Sequence, residues 1–244
     1  MLRAAIHIQN SDSRLSQIHT NWSQLFAATQ ANSEATTKAQ RELLLDYSGA
    51  VFRYLLGAVR NEHIASDLAQ DFAVRFLRGD FRNVAPEKGR FRDFLKRTLS
   101  NLVNDHFRKQ KAEQHRIQAS ITTEKRELAA PETVDFDHDW VLELLRRTWE
   151  ALEQHQLDNH TCYYSVLRAR AESPELNSLQ LCQVLSGVLP VESINEAWVR
   201  QNISRARKVF ATLLRAEIGK TLKDGTPENV DEELVALGLL KYCQ

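Results

Sequence analysis

The chain is poor in the residues that interrupt helices. Eight Gly and five Pro are spread over 244 residues, and the stretches between them are rich in Leu, Ala, Arg, Glu and Gln, which favours helices over strands. The expected fold class is all-α. Cysteine is sparse too: Cys162, Cys182 and Cys243 form no CxxC pair, and an odd count argues against a disulfide framework, so all three read as ordinary thiols. No run approaches the ~18 consecutive apolar residues that a membrane span requires, and the N-terminal stretch alternates polar and apolar residues without a signal-like core. A cytoplasmic protein with no membrane contact is expected. Signatures of catalysis are missing as well: there is no Walker-type glycine loop, no Gly-x-Ser-x-Gly elbow and no His-Glu-x-x-His. The nearest approach to a metal group is His155, His160 and Cys162, with no second cluster to complete a tetrahedral site. Neither an enzyme nor a cofactor is expected.

Net charge is absent only on average. Lys and Arg number 32 and so do Asp and Glu, but the signs are segregated. From Arg78 to Arg116 there are eleven basic against five acidic residues, and from Val199 to Lys223 seven against one. The compensating acids lie from Glu124 to Asp158, ten against four, and from Asp224 to Gln244, five against one. Two basic blocks on helices suit a nucleic-acid partner, although such blocks are more often plain solvated faces.

Hydrophobic periodicity divides the chain into an N-terminal segment (1–37), a helical block (38–111) broken by a loop around Gly79 to Gly89, a linker (112–138), a second block (139–222) and an acidic tail (223–244). The picture is two small helical domains joined by a linker. In the tail, Val230, Leu234, Leu237 and Leu240 would share one side of a short helix after Gly225-Thr226-Pro227.

In the first block, Leu68, Phe72 and Phe76 recur every four residues beside Ala65, Ala69 and Ala73, a stripe that belongs in a core. Asp67, Gln70 and Asp71 then face outward. A second helix starting after Gly89 places Phe91, Leu95, Thr98, Leu102 and His106 on its buried side, and Arg90, Arg97, Asn101, Asn104 and Arg108 together on the other, at ~100° per residue. Guanidinium forks and amides suit phosphates and base edges, and Phe94 and Phe107 at the edges could stack on an unpaired base. An exposed helix with an Asp93 to Arg97 pair accounts for the same stripe equally well.

In the second block, a helix from Ser178 groups Leu179, Cys182 and Leu185 and ends at Ser186-Gly187. Ser193 and Glu196 form the capping-box pattern that would open a longer helix. Its buried side is Val199, Ile203, Ala206, Phe210 and Leu213, which leaves Ala197, Gln201, Ser204, Arg205 and Lys208 outward, flanked by Arg200 and Arg207. This is the layout of a helix-turn-helix whose second helix enters the major groove.

These strings resemble the extracytoplasmic-function (ECF) group of RNA polymerase sigma factors. DLAQDF at Asp67 to Phe72, GRFRDFL at Gly89 to Leu95, Asn101 and HFRKQK at His106 to Lys111 follow one another as in that family's promoter-opening domain. WVRQNISRARKVF, Trp198 to Phe210, is similar to its minus-thirty-five recognition helix, although the connection from Ser186 to Glu192 is longer than the usual turn. Trp22 and the segment from Leu214 to Leu240 resemble a subgroup with an acidic C-terminal extension. The resemblance implies core RNA polymerase and promoter DNA as partners, and leaves open whether an anti-sigma factor is a further one. It implies that Asp67, Gln70 and Asp71 dock on the polymerase. Arg90, Arg97, Asn101, Asn104 and Arg108 would hold the non-template strand of the minus-ten element, and Arg200, Gln201, Ser204, Arg205 and Lys208 would read the minus-thirty-five duplex. The rival reading is a helix-turn-helix regulator that binds duplex DNA without polymerase.

Overall fold

The computed structural model describes residues 38–78, 80, 90–118, 135–189, 194–222 and 224–243. Among them every regular element is helical: α1 (Lys38–Asp46), α2 (Ser48–Val59), α3 (Glu62–Arg78), α4 (Phe91–Gln118), α5 (Phe136–Asn159), α6 (Tyr163–Glu172), α7 (Ser178–Ser186), α8 (Glu196–Lys220), α9 (Pro227–Ala236) and a 3-10 turn (Leu240–Tyr242). They form two compact units, the first ending at Trp140 and the second beginning at Val141. No helix among the described residues is long and apolar enough to cross a membrane.

In the first unit α2 is the hub. It is apolar nearly all round, burying Val51, Phe52, Tyr54, Leu55 and Ala58, and it packs on α1, α3 and α4. A helix without a polar face has to sit in the middle of its domain. The chain leaves α2 through Arg60, which takes a left-handed φ of 50° and donates its N–H to the Leu56 carbonyl, so the turn into α3 needs no glycine. From α3 the expected stripe, Ala65, Leu68, Ala69, Phe72, Ala73 and Phe76, is buried. From α4 come Phe94, Leu95, Thr98, Leu99, Leu102 and Val103.

Two boundaries differ from the periodicity. Helix α4 runs on to Gln118, through the start of the stretch expected to be linker. Beyond Lys111 its residues are mostly exposed, so no apolar stripe exists there for periodicity to detect. At the other end α5 starts at Phe136, and its first residues belong to the first unit. Phe136 and Trp140 are fully buried; Trp140 stacks on Tyr47 with ring centroids 4.0 Å apart and Phe136 meets Tyr54 edge-on at 5.4 Å. Gly79, Gly89, the rest of the expected loop between them apart from Asp80, Trp22, and the central part of the linker lie outside the described residues.

The second unit is organised around α8, which packs on α6, α7, α9 and the 3-10 turn. Val166 of α6, Leu181, Cys182 and Leu185 of α7, and Val199 and Ile203 of α8 form one cluster. Trp149 of α5 adds a second centre of packing, with Phe210 at 5.1 Å and Tyr164 at 5.9 Å. Leu179, expected in the core, is 56% exposed, and Leu181 takes its place. Leu179 and Leu181 can each share a helical stripe with Cys182 and Leu185, and packing against Val166, Val199 and Ile203 buries the one with Leu181. Likewise Leu214, at the next position from the expected Leu213, is completely buried.

The acidic tail is folded. Thr226 caps α9 by accepting from the Asn229 N–H, with Pro227 in the first turn. The helix ends in a Schellman arrangement at Gly238, φ +65°: the Leu239 N–H reaches the Leu234 carbonyl at 2.8 Å and the Gly238 N–H that of Val235 at 3.0 Å. This reversal buries Leu239 and leaves Leu240 exposed, the opposite of the expectation from an uninterrupted helix. Val230, Leu234 and Leu237 are buried as expected. Asp231 pairs with Arg215 of α8 at 2.5 Å, so the tail folds against the distal half of the second basic block.

Candidate polymerase and nucleic-acid interfaces

In the first unit the burial of Leu68, Phe72 and Phe76 turns the other side of α3 outward. Asp67 and Gln70 are exposed. Asp71 is half-buried, and its carboxylate is held by Arg75 one turn on, at 2.8 Å. The pair orients the carboxylate without burying it, and an exposed i,i+4 pair yields readily to another cation.

Helix α4 presents the second group. Arg97, Asn101, Asn104 and Arg108 are exposed along one face, with Arg90 half-exposed just before the first turn. Arg108 pairs with Asp105 at 3.3 Å, both well exposed. Asp93 meets Arg92 at 3.8 Å rather than Arg97, so the pair that would have explained the stripe as ordinary helix surface is replaced by another. One expectation fails: Phe94 is buried, packed between Phe76 and Phe91 at 6.3 and 6.0 Å, and has no face to offer a base. It lies on the core side of α4 beside Leu95. Phe107 is half-exposed and keeps its place at the edge of the stripe.

A feature the periodicity missed organises this helix from behind. Asp137, at the start of α5, accepts from Arg92 and, at 2.7 Å, from Lys96. Burial alone would raise the Asp137 pKa, but the hydrogen bonds and charges of Lys96 and Arg92 outweigh it and hold the carboxyl below the ordinary carboxylate range. Arg53 of α2 reaches the Asp139 carboxylate at 3.6 Å. The acidic run from Asp135 to Asp139, legible only as charge in the sequence, thus holds Arg92 and Lys96 of α4 and Arg53 of α2. Tyr54 adds another tie: burial raises its pKa, against a hydrogen bond with Ser100 of α4 and the charge of Lys96.

In the second unit the expected outer face of α8 is outward. Arg200, Gln201, Ser204, Arg205 and Lys208 are all exposed, as are Ala197 and Arg207. The helix is opened by Asn195, whose side chain accepts from the Trp198 N–H at 2.9 Å. Ser193, the expected cap, lies outside the described residues, and Glu196 is instead the first helical residue, bonded to Arg200 at 3.0 Å. Asn and Ser are nearly equivalent caps, and here Asn195, two residues beyond Ser193, takes the role. Helix α7 has a complete capping box between Asn177 and Gln180 and ends at Gly187, as expected for its end. Asn202 is buried, donating to the Trp198 carbonyl and facing the Cys162 thiol at 3.6 Å. His155 stacks on Tyr163, with ring centroids 6.0 Å apart. These residues tie α8, α6 and α5 together, and among the described residues no group of His, Cys, Asp and Glu is arranged to hold a metal.

Residues 43–113, running from α1 into α4, match the protein family described as Sigma-70 region 2. The match supports a member of the RNA polymerase sigma-70 family and lies wholly within the first unit. No curated protein and no solved structure matches the chain.

Proposed function

We propose that this protein is a sigma factor of the ECF type, which binds core RNA polymerase and directs promoter recognition and DNA opening in the cytoplasm. The observation that carries the reading is the placement, within the segment matched by sigma-70 region 2, of two separate exposed faces: Asp67, Gln70 and Asp71 on α3, and Arg97, Asn101, Asn104 and Arg108 on α4. The acidic face suits the polymerase. The cationic and amide face, with Arg90 at its start, suits single-stranded promoter DNA, where trapping unpaired bases shifts the melting equilibrium without any chemistry. In the second unit α7 and α8 would act as a helix-turn-helix, with Gln201, Ser204 and Arg205 toward base edges and Arg200 and Lys208 toward phosphates. An anti-sigma factor would complete the set of partners.

The test is reconstitution. The full chain should co-purify with core polymerase, and the holoenzyme should select promoters from a panel that core alone ignores. Gln70→Ala with Asp71→Ala should weaken polymerase association and leave intrinsic DNA affinity unchanged. Arg205→Ala should cost about 1–3 kcal/mol of upstream-element discrimination if its guanidinium is bidentate to a guanine. Tight, specific binding to a duplex operator with no polymerase present would favour a stand-alone regulator instead.

A further inference from the structure

One flank of α8, which includes the base-reading Ser204, adds Arg207 to the phosphate-facing Arg200 and Lys208. A groove of about 690 Å³ lies along it, lined by Arg200, Arg207, Lys208 and Ala211 of α8, by Arg170 at the end of α6, and by Cys243 behind the folded tail. Four cations and no carboxylate line this space, in a chain whose charges balance overall. The acidic tail packs on the same helix but contributes only Cys243 to the groove. Its Asp231 is spent on Arg215 farther along α8.

Arg170 is the informative member. One nitrogen of its guanidinium donates to the Leu176 carbonyl at 2.5 Å, and more weakly to that of Pro174 at 3.4 Å. A guanidinium anchored by one nitrogen keeps other donors in a fixed fork and loses little side-chain freedom when an anion arrives. Arg207 and Lys208 are exposed, and the Arg200 pair with Glu196 is an exposed i,i+4 contact that a phosphate can replace.

We propose that this groove is a track for the sugar-phosphate backbone of duplex DNA, running beside the base-reading residues, with Arg170 and Arg207 as phosphate contacts outside the expected recognition set. The inference rests on the helix-turn-helix reading of the second unit and deepens it. Phosphate contacts position a protein on the duplex and are indifferent to sequence, whereas Gln201 and Arg205 would carry the discrimination. Arg170 then couples the end of α6 to the register of α8 on DNA.

The experiment uses full-chain holoenzyme and two upstream duplexes of equal length, one selected by that holoenzyme from a random pool and one scrambled. Affinity is measured from about 50 to 200 mM salt. Arg170→Ala and Arg207→Ala should each weaken binding on both duplexes alike and reduce the salt-driven loss of affinity roughly threefold across that range, the share of one phosphate contact. Ala211 offers a second route that leaves the Arg170 anchor untouched: Ala211→Lys should steepen the salt dependence and Ala211→Glu should flatten it. Unchanged salt dependence at positions 170, 207 and 211, with Arg205→Ala still reducing discrimination, would overturn the groove and leave the recognition helix standing. If wild-type holoenzyme treats the two duplexes alike and Arg205→Ala changes nothing, the helix-turn-helix reading fails and the groove fails with it.

Discussion

Replacing Trp140 with Ala tests whether the start of α5 completes the first unit. Trp140 lies outside the segment that matches sigma-70 region 2, yet its indole is fully buried and stacks on Tyr47, with Phe136 and Phe91 at 6.0 and 6.3 Å. Removing a buried Trp costs about 3–5 kcal/mol, and the lost stacked pair adds roughly 0.5–1.5 kcal/mol. Against a total stability of about 5–15 kcal/mol for a domain, that is enough to unfold a marginal one. Urea unfolding of the full chain, followed by helicity and by Trp fluorescence, reads the effect. With a slope of about 1–3 kcal/mol per molar urea, the midpoint of the affected transition should fall by at least 1 M or so. Trp140→Phe keeps an aromatic ring and removes an indole N–H that has no acceptor among the described residues, so its loss should stay near 1–2 kcal/mol. Should Trp140→Ala cost less than about 0.5 kcal/mol, the range of ordinary surface substitutions, residues 136–140 would not belong to this core.

Two further outcomes are expected. The Asp137 pKa is depressed in the folded protein, so its clamp on Arg92 and Lys96 contributes stability above the unfolded carboxyl value, about 3.9, that is lost as pH falls through the lower folded value. Asp137→Asn should therefore lower stability near neutral pH, and the gap from wild type should close in acid; a gap that does not narrow as pH falls below the ordinary carboxylate range would contradict the clamp. Asn195→Ala removes the cap of α8 and should cost about 1 kcal/mol, read as a lower urea midpoint of the second unit. A change confined to the first unit would show that Asn195 does not anchor α8.

The exposed faces of the candidate site were largely legible in the sequence because helical periodicity is a local property. A core stripe such as Leu68, Phe72 and Phe76 dictates that Asp67 and Gln70 point away, and the stripe on α4 follows from Leu95, Leu102 and their neighbours in the same way. Phe94 shows where that reasoning stops. A residue at the margin of a stripe is buried or exposed according to what packs against it, and here Phe76 and Phe91 close over it. Leu179 and Leu181 make the same point in α7, where two overlapping leucine stripes exist and only the neighbouring helices choose between them.

By itself the sequence determined the helical class, the segregation of charge, and the outward faces of α3, α4 and α8, since each follows from composition or from spacing within one helix. Tertiary structure alone decided what depends on distant partners. It sent Trp140 and Asp137 back across the linker to the first unit, ended α9 so that Leu239 rather than Leu240 is buried, and gathered Arg170 with Arg207 along one groove. Those contacts join residues far apart in the chain, and no local period encodes which distant surface a side chain will meet.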